Sequence, residues 1–141
     1  MFKTGGVVRG RLERSGTRKG YAVPAIAEIS TIIFDSADPS PLADFYRRAT
    51  GWETTYRDDD FVTLGNGGAI QLAFQRVEGY RSAGWPDPAK HAHLDLRVAD
   101  LAAAEKELIG LGAGRPEFQP GGDGWVVLTD PEGHVFCITT G

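Results

Sequence analysis

The segment His93–Asp100 (HLDLRVAD) has an earlier counterpart in Thr31–Asp38 (TIIFDSAD), and this pair decides how the chain is built. In the later one apolar and polar side chains alternate, in the earlier one Ile32 and Phe34 keep the same two-residue spacing, and an Ala-Asp pair follows in both, the pattern of a strand running into a helix N-cap. The alternation extends outward to strands expected over Glu28–Asp35 and Ala92–Val98. After Asp38, Pro39 and Pro41 stand where a missing amide proton is harmless, and Leu42, Phe45, Tyr46 and Ala49 recur at i, i+3, i+4 and i+7 until Gly51. After Asp100, Leu101, Ala104, Leu108 and Leu111 form the equivalent stripe, stopped by Gly112. Two hairpins of one design follow these helices: Phe61–Leu64 with Ala69–Leu72, and Trp125–Leu128 with Val135–Ile138. A further strand in each half is expected at Glu53–Arg57 and at Glu117–Gln119.

Strand, helix and three strands therefore occur twice, which predicts an α+β fold of two tandem βαβββ modules forming a curved mixed sheet around a cleft. The modules are expected over about residues 26–78 and 91–140, joined by a Gly- and Pro-rich connector at 79–90. Residues 1–25 read as a flexible, basic, Gly-rich leader. Residues 1–20 hold six basic side chains against Glu13, so the net charge of −4 divides into +5 on the leader and −9 on the body. An acidic body argues against a nucleic-acid surface on the domain. A nucleic-acid or membrane-surface anchor, a misassigned start and a cloning remnant are the other readings of the leader. No apolar run is long enough to span a membrane or to form a secretory signal, and the single cysteine, Cys137, forbids an intrachain disulfide, so the expected compartment is the cytoplasm.

Because strand side chains alternate, the sequence sorts each strand into two faces. Ile32 and Phe34, Ile70, Leu72 and Phe74, Leu94, Leu96 and Val98, and Phe136 and Ile138 are expected to pack under the helices. Thr31, Ile33 and Asp35, Gln71, Ala73 and Gln75, His93, Asp95 and Arg97, and Cys137 and Thr139 then face the open side. Thr31 and His93 hold equivalent places before the two Asp residues, and Gln71 and Cys137 hold equivalent places in the two hairpins. If the modules pack as related units, these four converge on one concave surface.

Three stretches, SADPSPLADFYRRATGW (Ser36–Trp52), HLDLRVAD (His93–Asp100) and DPEGHVFCI (Asp130–Ile138), resemble those of the vicinal oxygen chelate superfamily. That superfamily includes glyoxalase I, extradiol dioxygenases, fosfomycin-modifying enzymes and bleomycin-binding proteins. The connector region LAFQRVEGYRSAGWPDP (Leu72–Pro88) is similar to that of short bacterial glyoxalase-like proteins. The resemblance implies that the four converging positions are those at which metal-dependent members carry His or Gln, Glu, His and Glu. Here they are Thr31, Gln71, His93 and Cys137, so only His93 matches outright and no carboxylate remains for a hard divalent cation or for the usual metal-bound base.

The expected function is therefore a small-molecule-binding or metal-independent glyoxalase-like protein, with no cofactor and no metal. Thr31, Asp35, Gln71, Gln75, Asp95, Arg97 and Cys137 are expected to line the cleft, with His93 as the candidate catalytic residue. The alternative is a divalent-metal-dependent lyase or dioxygenase-like enzyme with a non-standard ligand set around His93. His93 also reads as a cleft histidine bonded to Asp95, Gln71 or backbone, and Cys137 as an inert buried thiol. Tyr80 and Trp85 in the connector supply stacking surface for a planar ligand or else seal the core or a dimer interface. Arg76 and Arg81 are candidates for steering an anion, and His91 and His134 read as a rim and a turn residue. The partners expected are a small organic molecule and a second copy of the chain in a homodimer, with no nucleic acid and no membrane.

Overall fold

Two aspartates in extended backbone start the two helices, and everything between them is strand and turn. The computed structural model describes residues 25–141, so the leader expected over residues 1–25 lies, apart from Ala25, outside the described residues. The first module comprises β1 (Thr31–Ser36), α1 (Pro39–Thr50), β2 (Glu53–Arg57), β3 (Phe61–Gly65) and β4 (Gln71–Arg76). The second comprises β5 (Leu94–Arg97), α2 (Leu101–Gly110), β6 (Trp125–Thr129) and β7 (Val135–Thr139). Each module makes an open mixed sheet, ordered β1-β4-β3-β2 in the first and β5-β7-β6 in the second. In each, the strand before the helix pairs in parallel with the last strand of its hairpin.

Local chemistry sets the helix ends. Asp100 caps α2 with its own side chain, which accepts the Ala103 N–H at 2.8 Å. Asp38 occupies the same place before α1, but its carboxylate makes no capping bond. The Glu132 carboxylate, from the turn between β6 and β7, does that work instead, accepting the Ala37 N–H at 2.8 Å, the Asp38 N–H at 3.2 Å and the Ser36 hydroxyl at 2.6 Å. An anion there also meets the positive end of the helix dipole. Gly51 ends α1 in the left-handed region at φ 76°, where a side chain would be strained.

Three expectations are corrected. The first strand begins at Thr31, not Glu28, and the strand of the second module begins at Leu94, so His93 sits just ahead of it. The strand expected at Glu117–Gln119 does not form. Gln119 replaces it with a side chain: its amide donates to the Val127 carbonyl and its carbonyl accepts the Val127 N–H, both at 2.9 Å, which satisfies an edge that a fourth strand would have paired. Ile32 and Ile70 were expected in the core but are each 36% exposed, because α1 covers the centre of its sheet and not the N-terminal ends of β1 and β4.

One core serves both modules. Leu42, Phe45 and Tyr46 of α1, Val62, Leu64, Leu72 and Phe74 of the first sheet, Leu108 of α2, and Val126, Leu128, Phe136 and Ile138 of the second sheet form a single buried cluster. Tyr46 packs against both Phe34 and Phe74, at 5.6 and 5.4 Å, with those two rings 5.7 Å from each other, and meets Phe136 of the other module at 6.3 Å. Its hydroxyl donates to buried Asp130 at 2.8 Å, and burial followed by the charge of Asp130 pushes its pKa far up, so it stays a phenol. Asp130 also accepts the backbone N–H groups of Glu132 and His134 at 2.9 and 3.0 Å.

His134 completes this junction and is more than a turn residue. Its Nδ1 lies 2.8 and 3.0 Å from the two Asp130 carboxylate oxygens, and its Nε2 lies 2.8 Å from the Asp35 carbonyl of β1. A carbonyl only accepts, and so does a carboxylate, so both ring nitrogens carry protons and the ring is an imidazolium. Burial alone would lower its pKa; the bond to Asp130, the charge of Asp130, the Asp35 carbonyl and the charge of Glu132 outweigh this and raise it.

Two stability predictions follow. Gln119→Ala leaves both backbone groups of buried Val127 unpaired and should cost about 1–3 kcal/mol in denaturant unfolding. A raised histidine pKa gives stability that is complete below about 6.5, the ordinary imidazole value, and lost as pH rises through the folded-state value. The unfolding midpoint should therefore decline above that pH in the native chain and lose this decline in His134→Gln.

Candidate functional site

Since Phe34, Leu72 and Phe74 on one sheet and Phe136 and Ile138 on the other enter the shared core, alternation turns the polar residues of both sheets away from it. The parallel registers then group them. Thr31 stands opposite Gln71 and Asp35 opposite Gln75 in the first sheet. Asp95 stands opposite Cys137 and Arg97 opposite Thr139 in the second.

The first group is neutral at its centre. The Gln71 side-chain oxygen accepts the Thr55 hydroxyl at 2.6 Å, and Thr55 bonds in turn to Thr63. Asp35 and Gln75 are exposed at one end of this face and Ile33 is 48% exposed in the middle. Ala73, expected on the open side, is fully buried, because its methyl is short and its register neighbours Ile33 and Thr63 close over it.

In the second group the His93 Nε2 lies 3.4 Å from an Asp95 carboxylate oxygen, and donor atoms of His93, Asp95 and Cys137 all lie within 4.8 Å of one another. A cavity of about 240 Å3 opens beside them, walled also by Trp125, Thr139 and Gly141, so second-module residues alone line it. Cys137 was expected on an open face and is buried. The reason is Trp85, whose ring packs on Val127, Val135 and Cys137 while its indole N–H donates to the Phe118 carbonyl at 2.9 Å. Phe118 stacks on that ring at 6.2 Å and the Lys90 ammonium lies 5.0 Å from its centroid. Burial, then the Asp95 charge, pushes the Cys137 thiol up, with Lys90 opposing weakly.

The other expected residues disperse. Tyr80 stacks on His134 at 5.2 Å and, with Arg81 and Glu132, borders a cavity of about 530 Å3 at the start of α1, away from the neighbours of Trp85. Arg76 is tied to the Ala37 and Asp59 carbonyls at 2.7 and 2.8 Å and to Asp60 at 3.0 Å, which makes it a structural clasp. Arg97 and Asp95 border a groove of about 770 Å3 where the modules meet, floored by Ile32, Ile70, Leu72, Leu94, Leu96 and Leu108. Sequence reasoning missed the junction of Ser36, Tyr46, Asp130, Glu132 and His134. Its signal was a tyrosine on an otherwise apolar helix stripe, since a buried phenol needs a partner.

A hard-cation shell does not fit these residues. Thr31 and Gln71 offer neutral oxygens, Gln71 is engaged by Thr55, and none of the four positions Thr31, Gln71, His93 and Cys137 is a carboxylate.

A family model described as a glyoxalase-like domain matches residues 31–139. No curated protein matches the chain. A glyoxalase-related enzyme from Fulvimarina pelagi is 20% identical with a TM-score of 0.60, covering 81% of this chain and 88% of that one. The bleomycin-binding protein of bleomycin-producing Streptomyces verticillus, solved with copper(II)-bleomycin, is 19% identical with a TM-score of 0.54, covering 84% and 99%. A bleomycin resistance determinant encoded on the transposon Tn5 is 25% identical with a TM-score of 0.52, covering 80% and 97%.

The packing of the connector makes its own prediction. With Trp85 in place, Cys137 should react slowly with a disulfide thiol reagent; Trp85→Ala should raise the rate several-fold while the far-ultraviolet dichroism is kept. An unchanged rate would mean that Trp85 does not cover the thiol.

Proposed function

The chain belongs to the glyoxalase-like domain family, and on that footing we propose that it binds a small organic molecule on its polar sheet faces without a hard catalytic cation. The observation that carries this reading is the neutral Thr31–Gln71–Thr55 cluster at the place where chelation would need negative charge. Thr31, Gln71 and Gln75 supply neutral hydrogen-bonding groups, and Asp35, Asp95 and Arg97 supply charge at the margins. His93 is the proton-transfer candidate, being partly exposed and beside Asp95. Residues of this kind orient a ligand while apolar surface supplies affinity.

A homodimer is part of the reading. Among the described residues β1 and β5 are edge strands, and Ile26, Ile29, Ile32 and Ile33 are exposed along β1 and the segment before it, with Ile32 on the groove between the modules. Unpaired strand edges bordered by apolar surface favour a second chain. Among the described residues no helix is long and apolar enough to cross a membrane.

Calorimetric titration of metal-stripped protein against a panel of small aromatic and apolar metabolites should give saturable binding, weakened about tenfold by Gln71→Ala through the loss of a hydrogen bond worth about 1.5 kcal/mol. Binding that appears only on adding magnesium or manganese would overturn the proposal. Light scattering should report a dimer that Ile33→Lys converts to monomer.

A further inference from the structure

We propose that the groove of about 770 Å3 at the junction of the modules binds an amphipathic carboxylate, with its hydrocarbon part on the apolar floor and its charged head beside Arg48 and Arg97. The site goes beyond the small-molecule reading and stands without it. It lies on the helix-packed side of the sheets, where Leu72, Leu94 and Leu96 point, and not on the polar strand faces that carry Thr31, Gln71 and Cys137.

Unequal helix packing opens the groove. α1 buries Pro39, Leu42, Ala43, Phe45 and Tyr46, whereas α2 buries Leu108 alone. The apolar stripe of each helix also carries a short side chain where it meets this space, Ala49 on α1 and Ala104 on α2, and both border the groove. Because α1 leaves the N-terminal ends of β1 and β4 uncovered, Ile32 and Ile70 each stay 36% exposed on the floor. Contiguous apolar surface held against water in a concavity is unfavourable, and an apolar ligand relieves it. The volume falls in the range of about 300–1,000 Å3 typical of small-molecule sites, which favour boundaries between folded units.

Charge selects the head group. Among the described residues Arg47, Arg76 and Arg115 hold Asp44, Asp60 and Glu105 at 2.7, 3.0 and 2.6 Å. Arg48 and Arg97 have no carboxylate partner among those residues, and both border the groove, one from each module. A guanidinium presents a planar fork of donors that matches a carboxylate. Of the two acids on the rim, Asp95 already has the His93 Nε2 3.4 Å away, and Glu107 stands on α2, so an anionic head is favoured on the side of α1 and β5.

The test uses the full chain and one hydrocarbon tail with three different heads. Calorimetric titration with octanoate should give saturable binding at one equivalent per chain, while octylamine and 1-octanol should bind about tenfold more weakly or worse, as expected for the loss of a charge-assisted hydrogen bond. Arg48→Glu should weaken octanoate by a similar factor and Arg48→Lys by less. Ile70→Glu, at an exposed position of the floor, should weaken octanoate as well. Unchanged far-ultraviolet dichroism in each variant shows that the fold is kept. Gln71→Ala should leave octanoate binding as it is; a loss there as large as in Arg48→Glu would place the anion on the polar strand faces and overturn the proposal. No octanoate binding, equal binding of octylamine, or an affinity that falls as the chain is concentrated, which would assign the groove to a second copy, would each overturn it too. The metabolite titration read through Gln71→Ala is a separate measurement, so failure of either idea leaves the other decided on its own data.

Discussion

One buried carboxylate holds the two modules together. Asp130 sits in the hairpin turn of the second module, yet its oxygens receive the Tyr46 hydroxyl of the first and the imidazolium of His134, which reaches β1 through the Asp35 carbonyl. An ionised group so enclosed is tolerable only because all of its bonding capacity is met. The neighbouring Glu132 extends the same tie by capping α1 from across the junction. The apolar core brings the modules together without direction, and these bonds give the contact its orientation.

The architecture was legible because it is written twice. Ala37-Asp38 and Ala99-Asp100 marked both helix starts, and Gly51 marked the end of α1. The alternation around Phe34, Leu72, Phe136 and Ile138 named the core side of each sheet. What the pattern could not carry was any bond between residues far apart in sequence. Nothing local to Glu132 says that it will cap a helix more than ninety positions earlier, and nothing local to Gln119 says that its amide will stand in for a strand.

The candidate site was legible in part for the same reason. Register joins Thr31 to Gln71 and Asp95 to Cys137, as alternation and the repeat require. Burial escaped the sequence: alternation assigned Cys137 and Ala73 to open faces, but a face is open only if no other segment lies on it. Trp85, forty residues before β6, covers the first, and the crowding of β1 and β3 around a small methyl covers the second. The two polar faces also differ in chemistry, with hydroxyls and an amide on the first sheet and imidazole, carboxylate and thiol on the second, so the repeat preserves shape and lets reactivity diverge.

The amide of Gln119 bears on the behaviour of the folded chain at high concentration. β6 is the outer strand of its sheet, and a free row of N–H and C=O groups there would invite another strand to add. By occupying the Val127 pair from the side, Gln119 blunts the middle of that margin and leaves no continuous template for intermolecular sheet growth. Among the described residues the opposite margin, at β5, has no such guard, so ordered self-association of these residues through this sheet is biased to one of its two borders.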